Sequence, residues 1–214
     1  MTDVLVGLSA LCAMAYLVRG ITQPPSVLRS ALKTSAVAGL ALAVWVANGP
    51  PLLVTALFFS ALGDFLLSRE TDKTFLGGMG AFFAAHVAYV VLFLSVGQGW
   101  LKVASLWPIG VGFLIYAALF YRYLFPGLGA FRVPVAAYSL AIAAMGLTVL
   151  GVPFSGPGLW TVAGALLFIL SDSVLAADKF RFTQSSALRP FAPYIVWATY
   201  WAGQVLIALG IMAQ

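Results

Sequence analysis

Long apolar runs alternate along the chain with short interruptions made of proline, glycine and charge. A helix needs about 20 apolar residues to cross the hydrocarbon core of a bilayer. Runs of that kind predict eight spanning helices, at 2–18, 31–48, 51–68, 75–96, 102–121, 133–151, 158–177 and 191–212. The tightest division is "NGPP" (Asn48 to Pro51), where paired prolines separate apolar runs that would otherwise read as one. The opening stretch "MTDVLVGLSALCAMAYLV" lacks a basic lead and carries Asp3, so it reads as a retained first helix rather than a cleaved signal.

Loop charges provide an independent check on that count. Arg19 and Arg29 lie between segments 1 and 2, Arg69 and Lys73 between 3 and 4, and Arg122 and Arg132 between 5 and 6. Lys179, Arg181 and Arg189 lie between 7 and 8, whereas the alternate connections hold only Lys102. The positive-inside rule then puts the four basic loops in the cytoplasm and both termini on the other side. A bacterial inner (cytoplasmic) membrane is the expected location.

Composition narrows the class. Of 214 residues, 63% are hydrophobic and 8% charged, with a mean hydropathy of +1.04. A soluble domain carries about 25% charged residues, so this chain cannot cover a water-facing surface. The expected architecture is an all-α integral membrane protein, residues 1–214 forming a single eight-helix transmembrane domain with no room for a separate soluble one. The net charge of +5 would suggest nucleic acid in a soluble protein; here it belongs to basic loops at a membrane surface. Neither nucleic acid nor an obligate protein partner is expected. With Cys12 the only cysteine, an intramolecular disulfide is impossible.

Two stretches share a pattern, "LGDFLL" at 62–67 and "LSDSVL" at 170–175, followed by "DKTF" and "ADKF". Either an internal duplication or a chance likeness between apolar sequences accounts for it. In the predicted topology segments 3 and 7 run the same way, so Asp64 and Asp172 approach the same face of the membrane.

Those two are the acidic residues that matter. Asp3 is terminal, Glu70 and Asp72 are in a loop, and Asp178 ends segment 7; only Asp64 and Asp172 lie within apolar runs. Asp64 is about 6 Å in from Ser68 and Asp172 about 9 Å in from Asp178 at the helical rise. A carboxylate there costs about 2.5–3.5 kcal/mol on insertion scales and usually faces a bundle interior or a water-filled cavity. Two carboxyls at similar depth suit a division of labour between a protonated acid and an ionised base. The plainer alternative is that each pairs with Lys33 or a backbone group and fixes helix packing.

Other polar groups gather nearby. Lys33 opens segment 2, and Ser60 lies one turn from Asp64 on the same stripe. His86, the sole histidine, lies about 18 Å along segment 4 from Thr74, near the midplane. Tyr200 and Gln204 share a face of segment 8, with Trp197 one turn before. For His86 a helix–helix hydrogen bond and a catalytic role both fit; Trp197 reads as packing; a buried amide such as Gln204 demands partners. One histidine and one cysteine cannot build the usual zinc site. Neither a Gly-x-Ser-x-Gly elbow nor a phosphate loop is present, and "GGMGAFF" (77–83) lies in a spanning helix, where glycine allows close packing. No metal and no cofactor is expected. For an enzyme, acid–base chemistry on a lipid-like substrate is what remains.

The motifs "LFFSALGDFLL", "GMGAFFAAHVAYVVLF", "GALLFILSDSVLAADKF" and "TYWAGQVLIALG" together resemble the YhhN-like membrane proteins, which include the lysoplasmalogenases (alkenylglycerophospholipid hydrolases). The likeness spans the whole chain. The family's lysine–proline at the start of segment 2 is "LKTS" here, so Lys33 matches and Thr34 replaces the proline. The resemblance implies hydrolysis of the vinyl-ether bond of a lysoplasmalogen, a lysophospholipid drawn from the bilayer, releasing a fatty aldehyde and a glycerophospho-alcohol. On that footing Asp172 is expected as the acid and Asp64 as base or cation stabiliser. His86, Tyr200 and Gln204 would orient water or the glycerol hydroxyls, and Lys33 would offer charge to the phosphate. The rival reading is a proton-coupled small-molecule or lipid carrier whose aspartates form a proton relay. A non-catalytic scaffold is a third. Product formation in detergent separates them, because a carrier requires two compartments.

Overall fold

The computed structural model describes residues 1–214, and all of its regular structure is helical. The order is α1 (Thr2–Ala15), α2 (Val27–Val46), α3 (Pro51–Leu67), α4 (Asp72–Val96), α5 (Trp100–Ser105), α6 (Trp107–Leu124), α7 (Arg132–Val149), α8 (Pro157–Phe180) and α9 (Ala192–Met212). A wider π-helical turn over Tyr16–Gly20 extends α1, and two 3₁₀ turns over Phe125–Gly127 and Gly129–Phe131 join α6 to α7. The chain forms two compact units, Met1–Leu92 with Ala213 and Phe93–Met212 with Gln214.

Local chemistry sets the helix ends. The Ser26 hydroxyl caps α2 by accepting from the Arg29 N–H at 3.2 Å. Beyond α2, Asn48 adopts φ +54° and Pro51 takes the first position of α3, where its missing N–H costs nothing. Thr71 and Thr74 cap the start of α4 reciprocally: each backbone N–H donates to the other's hydroxyl, at 3.1 and 3.2 Å. The predicted segment at 102–121 is in fact two helices. Leu106 leaves the helical region (φ −98°, ψ 24°) and caps α6. The cause is Pro108, which lacks the N–H that Ala104 would accept from and whose ring crowds that carbonyl.

Seven helical stretches are long and apolar enough to cross a membrane. Helix α3 is apolar too but has 17 residues, about 25 Å at the helical rise. The exterior is apolar, with Leu101, Val133 and Val18 among the most exposed side chains. In water such a surface would aggregate; in a bilayer it is the lipid-facing side. Within the first unit the core holds Val37, Leu53 and Leu57; within the second it holds Met145, Phe168 and Ile207.

The α8–α9 contact is built on absent side chains. A Cβ on Gly203 would stand 2.8 Å from the Gly164 carbonyl oxygen, and one on Gly164 would stand 2.6 Å from that of Gly203. Lipid provides no hydrophobic force between helices, so such backbone-to-backbone approach supplies the attraction. Gly203→Ala must push backbone apart, and a loss of about 1–3 kcal/mol is expected, read as a lower melting temperature in detergent. Gly112→Ala, whose Cβ meets nothing within 4 Å, should leave the melting temperature unchanged or raise it.

Candidate functional site

Each of the two membrane aspartates is buried and each has a partner on the neighbouring helix. In the first unit Lys33 of α2 reaches Asp64 of α3, Nζ to Oδ1 at 3.2 Å, with side-chain exposures of 14% and 1%. Ser60 is buried one turn before Asp64. A charged pair at this depth needs good geometry to offset the water it gives up, and the α2–α3 packing is what holds it.

The same two helices carry a second polar cluster, centred on Arg29. Arg29, in the first turn of α2, donates from Nε to the Gly20 carbonyl at 3.1 Å and from an Nη to the Ser68 carbonyl at 3.2 Å. It also pairs with Glu70 at 2.6 Å. Gly20 and Ser68 lie where α1's extension and α3 end, so one guanidinium satisfies carbonyls at two helix C-termini, where a cation is favoured. Beside it Ser68 Oγ lies 2.7 Å from Ser30 Oγ, and Ser30 donates to the Ser26 carbonyl at 3.0 Å. Loop position alone had marked Arg29 as a topology signal.

His86 is buried on α4, with Nδ1 2.8 Å from the Phe82 carbonyl oxygen. A carbonyl only accepts, so Nδ1 carries the hydrogen, and in a neutral ring that makes Nε2 the acceptor. Phe82 in turn lies against Gly63, the residue before Asp64: a Cβ there would meet its ring at 2.5 Å. The absent side chain at Gly63 therefore lets α4 approach the aspartate's helix.

In the second unit Asp172 of α8 is 6% exposed, and the Tyr138 hydroxyl of α7 donates to its Oδ2 at 2.6 Å. Tyr138 is the site residue that sequence reasoning missed. A tyrosine in an apolar helix has no distinguishing signal until α7 is placed against α8. The flanking serines face elsewhere: Ser171 donates to the Val196 carbonyl at 3.0 Å and Ser173 to that of Ile169 at 2.6 Å.

Tyr200 and Gln204 of α9 are buried, as is Trp197. The Tyr200 ring packs edge-on against Phe168 at 5.4 Å and lies 5.9 Å from Trp197. Phe168 is one turn before Asp172 on α8, so the glycine-based α8–α9 contact brings Tyr200 to the aspartate's helix. The structure thus joins Lys33 to Asp64, adds Tyr138 to Asp172, and assigns the two aspartates to different units. No group of three or more His, Cys, Asp or Glu side chains is assembled that would hold a metal ion.

Removing only one member of the Lys33–Asp64 pair leaves a buried charge without its counterpart. Lys33→Met should cost about 3 kcal/mol or more, and the double variant Lys33→Met/Asp64→Asn should recover much of that loss. Thermal melting of the single and double variants in detergent measures it.

Comparison with known proteins agrees with the motifs. Residues 28–211 match the YhhN family. The chain is 34% identical over 164 residues to the lysoplasmalogenase TMEM86A of Bos taurus, covering 73% of this chain and 63% of that one. It is 30% identical over 161 residues to a lysoplasmalogenase of Mycobacterium bovis, covering 74% and 59%. With lysoplasmalogenase TMEM86B of Rattus norvegicus it shares 32% over 205 residues, covering 94% and 80%. The chain therefore spans about three-fifths of the length of the first two relatives. No solved structure matches it.

Proposed function

This chain belongs to the YhhN family, and from that premise we propose that it is a membrane-embedded hydrolase cleaving the vinyl-ether bond of lysoplasmalogens by paired-aspartate acid–base catalysis. The products are a fatty aldehyde and a glycerophospho-alcohol. The observation that carries the reading is that Asp64 and Asp172 are both buried in apolar helices, each held by a polar group of the adjacent helix.

Vinyl-ether hydrolysis begins with a proton delivered to the β-carbon, which leaves an oxocarbenium ion at the ether carbon. Water adds there and loses a proton, and the hemiacetal collapses to aldehyde and alcohol. The chemistry needs one positioned acid, and one anion to steady the cation and take the water's proton. Asp172 serves as the acid. Tyr138 donates to Oδ2 and so holds the carboxyl in place. Asp64 serves as the anion, with Lys33 balancing its charge between turnovers. The proton Asp64 gains leaves to water while Asp172 is reloaded, so each turnover consumes one water and returns both groups to their starting state. His86, through Nε2, and Tyr200 and Gln204 orient the water or the glycerol hydroxyls; Ser60 supports Asp64 from one turn away. The charge of Lys33 is committed to Asp64, and the phosphate needs another partner.

On the same reading residues 1–214 form one domain of eight spans, α3 being the shortest, with both termini outside the cytoplasm in a bacterial inner membrane. Single cysteines introduced beside Lys102 and beside Arg69 in a Cys12→Ala background should be labelled by an impermeant maleimide from opposite sides. Labelling of both from one side overturns that topology.

Aldehyde release from a lysoplasmalogen by the purified protein in detergent tests the chemistry. Asp64→Asn and Asp172→Asn should each lower kcat by at least about 100-fold while melting cooperatively. Full turnover by either variant rules out the acid–base pair. A wild-type protein inert on vinyl ethers rules out the substrate, and proton flux through liposomes then becomes the measurement for the carrier alternative.

A further inference from the structure

Where α6 ends, α7 begins and α8 ends, aromatic rings set the positions of two arginines. Arg132 lies 4.5 Å from the ring centroid of Phe125, and Arg181 lies 5.0 Å from that of Tyr123. The two rings are two residues apart in the chain. The residues just before the arginines, Phe131 and Phe180, pack ring to ring at 5.6 Å. Gly127 lies directly against the Phe180 carbonyl, with no room for a side chain. These contacts place each guanidinium on a ring at the end of α6, where the start of α7 meets the end of α8. A guanidinium stacked on a ring uses its face and keeps its N–H edge for an anion. Arg29 and Lys33 have carboxylate partners; Arg132 and Arg181 form no ion pair, and both are exposed.

Farther along the same three helices lies a shallow open groove. Phe113, Tyr116 and Phe120 of α6 form one wall, with Ser139 and Ile142 of α7 and Ser173 of α8 across from them. Tyr116 stacks on Phe120 at 5.8 Å, and Phe120 meets Tyr123 at 6.0 Å, so an aromatic strip one ring wide leads from the groove to the ring beneath Arg181. The groove's hydroxyls are already engaged. Ser139 donates to the Val135 carbonyl at 2.8 Å, Ser173 to that of Ile169, and Tyr116 lies 2.6 Å from Ser173. The lining therefore presents an apolar face. Ser139 and Ser173 directly follow Tyr138 and Asp172 in the chain, so this lining lies at the same level along α7 and α8 as the hydrogen-bonded carboxyl.

We propose that α6, α7 and α8 form a bilayer-facing site for a single-chain phospholipid, with its phosphate between Arg132 and Arg181 and its chain along the Phe113–Phe120 groove. Charge complementarity at one end and an apolar aromatic strip at the other select that ligand over a free anion or a neutral lipid. Its identification as the substrate, and only that, rests on the hydrolase reading. On that reading the ether bond lies on the Asp172 side of the phosphate, Asp172 being about 12 Å along α8 from Phe180.

The test is binding of a saturated, non-hydrolysable alkyl lysophospholipid to the full chain in detergent, followed by native mass spectrometry beside the chain-matched alkylglycerol. Wild type should bind the lysophospholipid at least about tenfold more tightly than the alkylglycerol, and Arg132→Ala/Arg181→Ala should erase that difference. Ala117→Phe, which fills the groove and keeps both arginines, should weaken a sixteen-carbon ligand and spare an eight-carbon one. Unchanged binding by the folded arginine variant, or equal affinity for the alkylglycerol, overturns the site. Displacement by inorganic phosphate alone, with no dependence on chain, also overturns it in favour of a free-anion site. Catalysis is read separately. A protein that binds in this way yet releases no aldehyde keeps the site and loses the hydrolase reading. One that turns over with KM unmoved by the arginine variant keeps the hydrolase and loses the site as the substrate's.

Discussion

A carboxyl group inside an apolar helix has no water to fall back on, so its partner must come from the protein and must arrive with the fold. That constraint organises most of the polar chemistry of this molecule. Asp64 meets an ammonium at 3.2 Å and Asp172 a phenol at 2.6 Å, each across one helix–helix contact. The same demand sends the hydroxyls of Ser139, Thr148, Ser173 and Thr199 back to carbonyls one turn earlier on their own helices, and His86 does likewise through Nδ1. Thr34, Thr161 and Trp201 bury a polar atom outside this scheme.

Meeting that demand requires helices to come close, and small residues permit it. Gly63 admits the Phe82 ring, and Gly164 and Gly203 bring the α8 and α9 backbones together. The polar partners then follow from the approach: Lys33 is on the helix that α3 packs against, and Tyr138 is on the one before α8. A glycine substitution and a charge substitution thus attack the same arrangement from two sides, one by separating helices and the other by stranding a buried group.

The two partners differ in kind, and the difference suits the proposed division of roles. An ammonium neutralises a full negative charge, which fits a carboxylate that steadies a cation. A phenol donates one hydrogen bond to one oxygen and brings no formal charge. Arg29 shows a third use of charge. It links two helix ends to Glu70 at the edge of the unit, where the glutamate is half exposed and the demand for geometry is lower.

Much of this was legible in the order of residues. Apolar runs of bilayer length located the helices, because hydropathy and length act locally and cumulatively along the chain. The same runs made Asp64, Asp172, Lys33 and His86 stand out, because a charged or titratable side chain in such a run is costly wherever it ends up. The break at Leu106 was written in Pro108, but its consequence was lost within an otherwise continuous apolar run. Which group answers each aspartate was decided only in three dimensions. Lys33 and Asp64 are 31 positions apart and Tyr138 and Asp172 are 34, and nothing in the local pattern marks Tyr138 among eight tyrosines. The stacking of Arg132 and Arg181 on rings at the end of α6 was equally hidden. Side-chain pairing across helices depends on their rotation and closest approach, set by packing at glycines far along the chain; composition and spacing specify what must be paired, and tertiary structure alone supplies the partner.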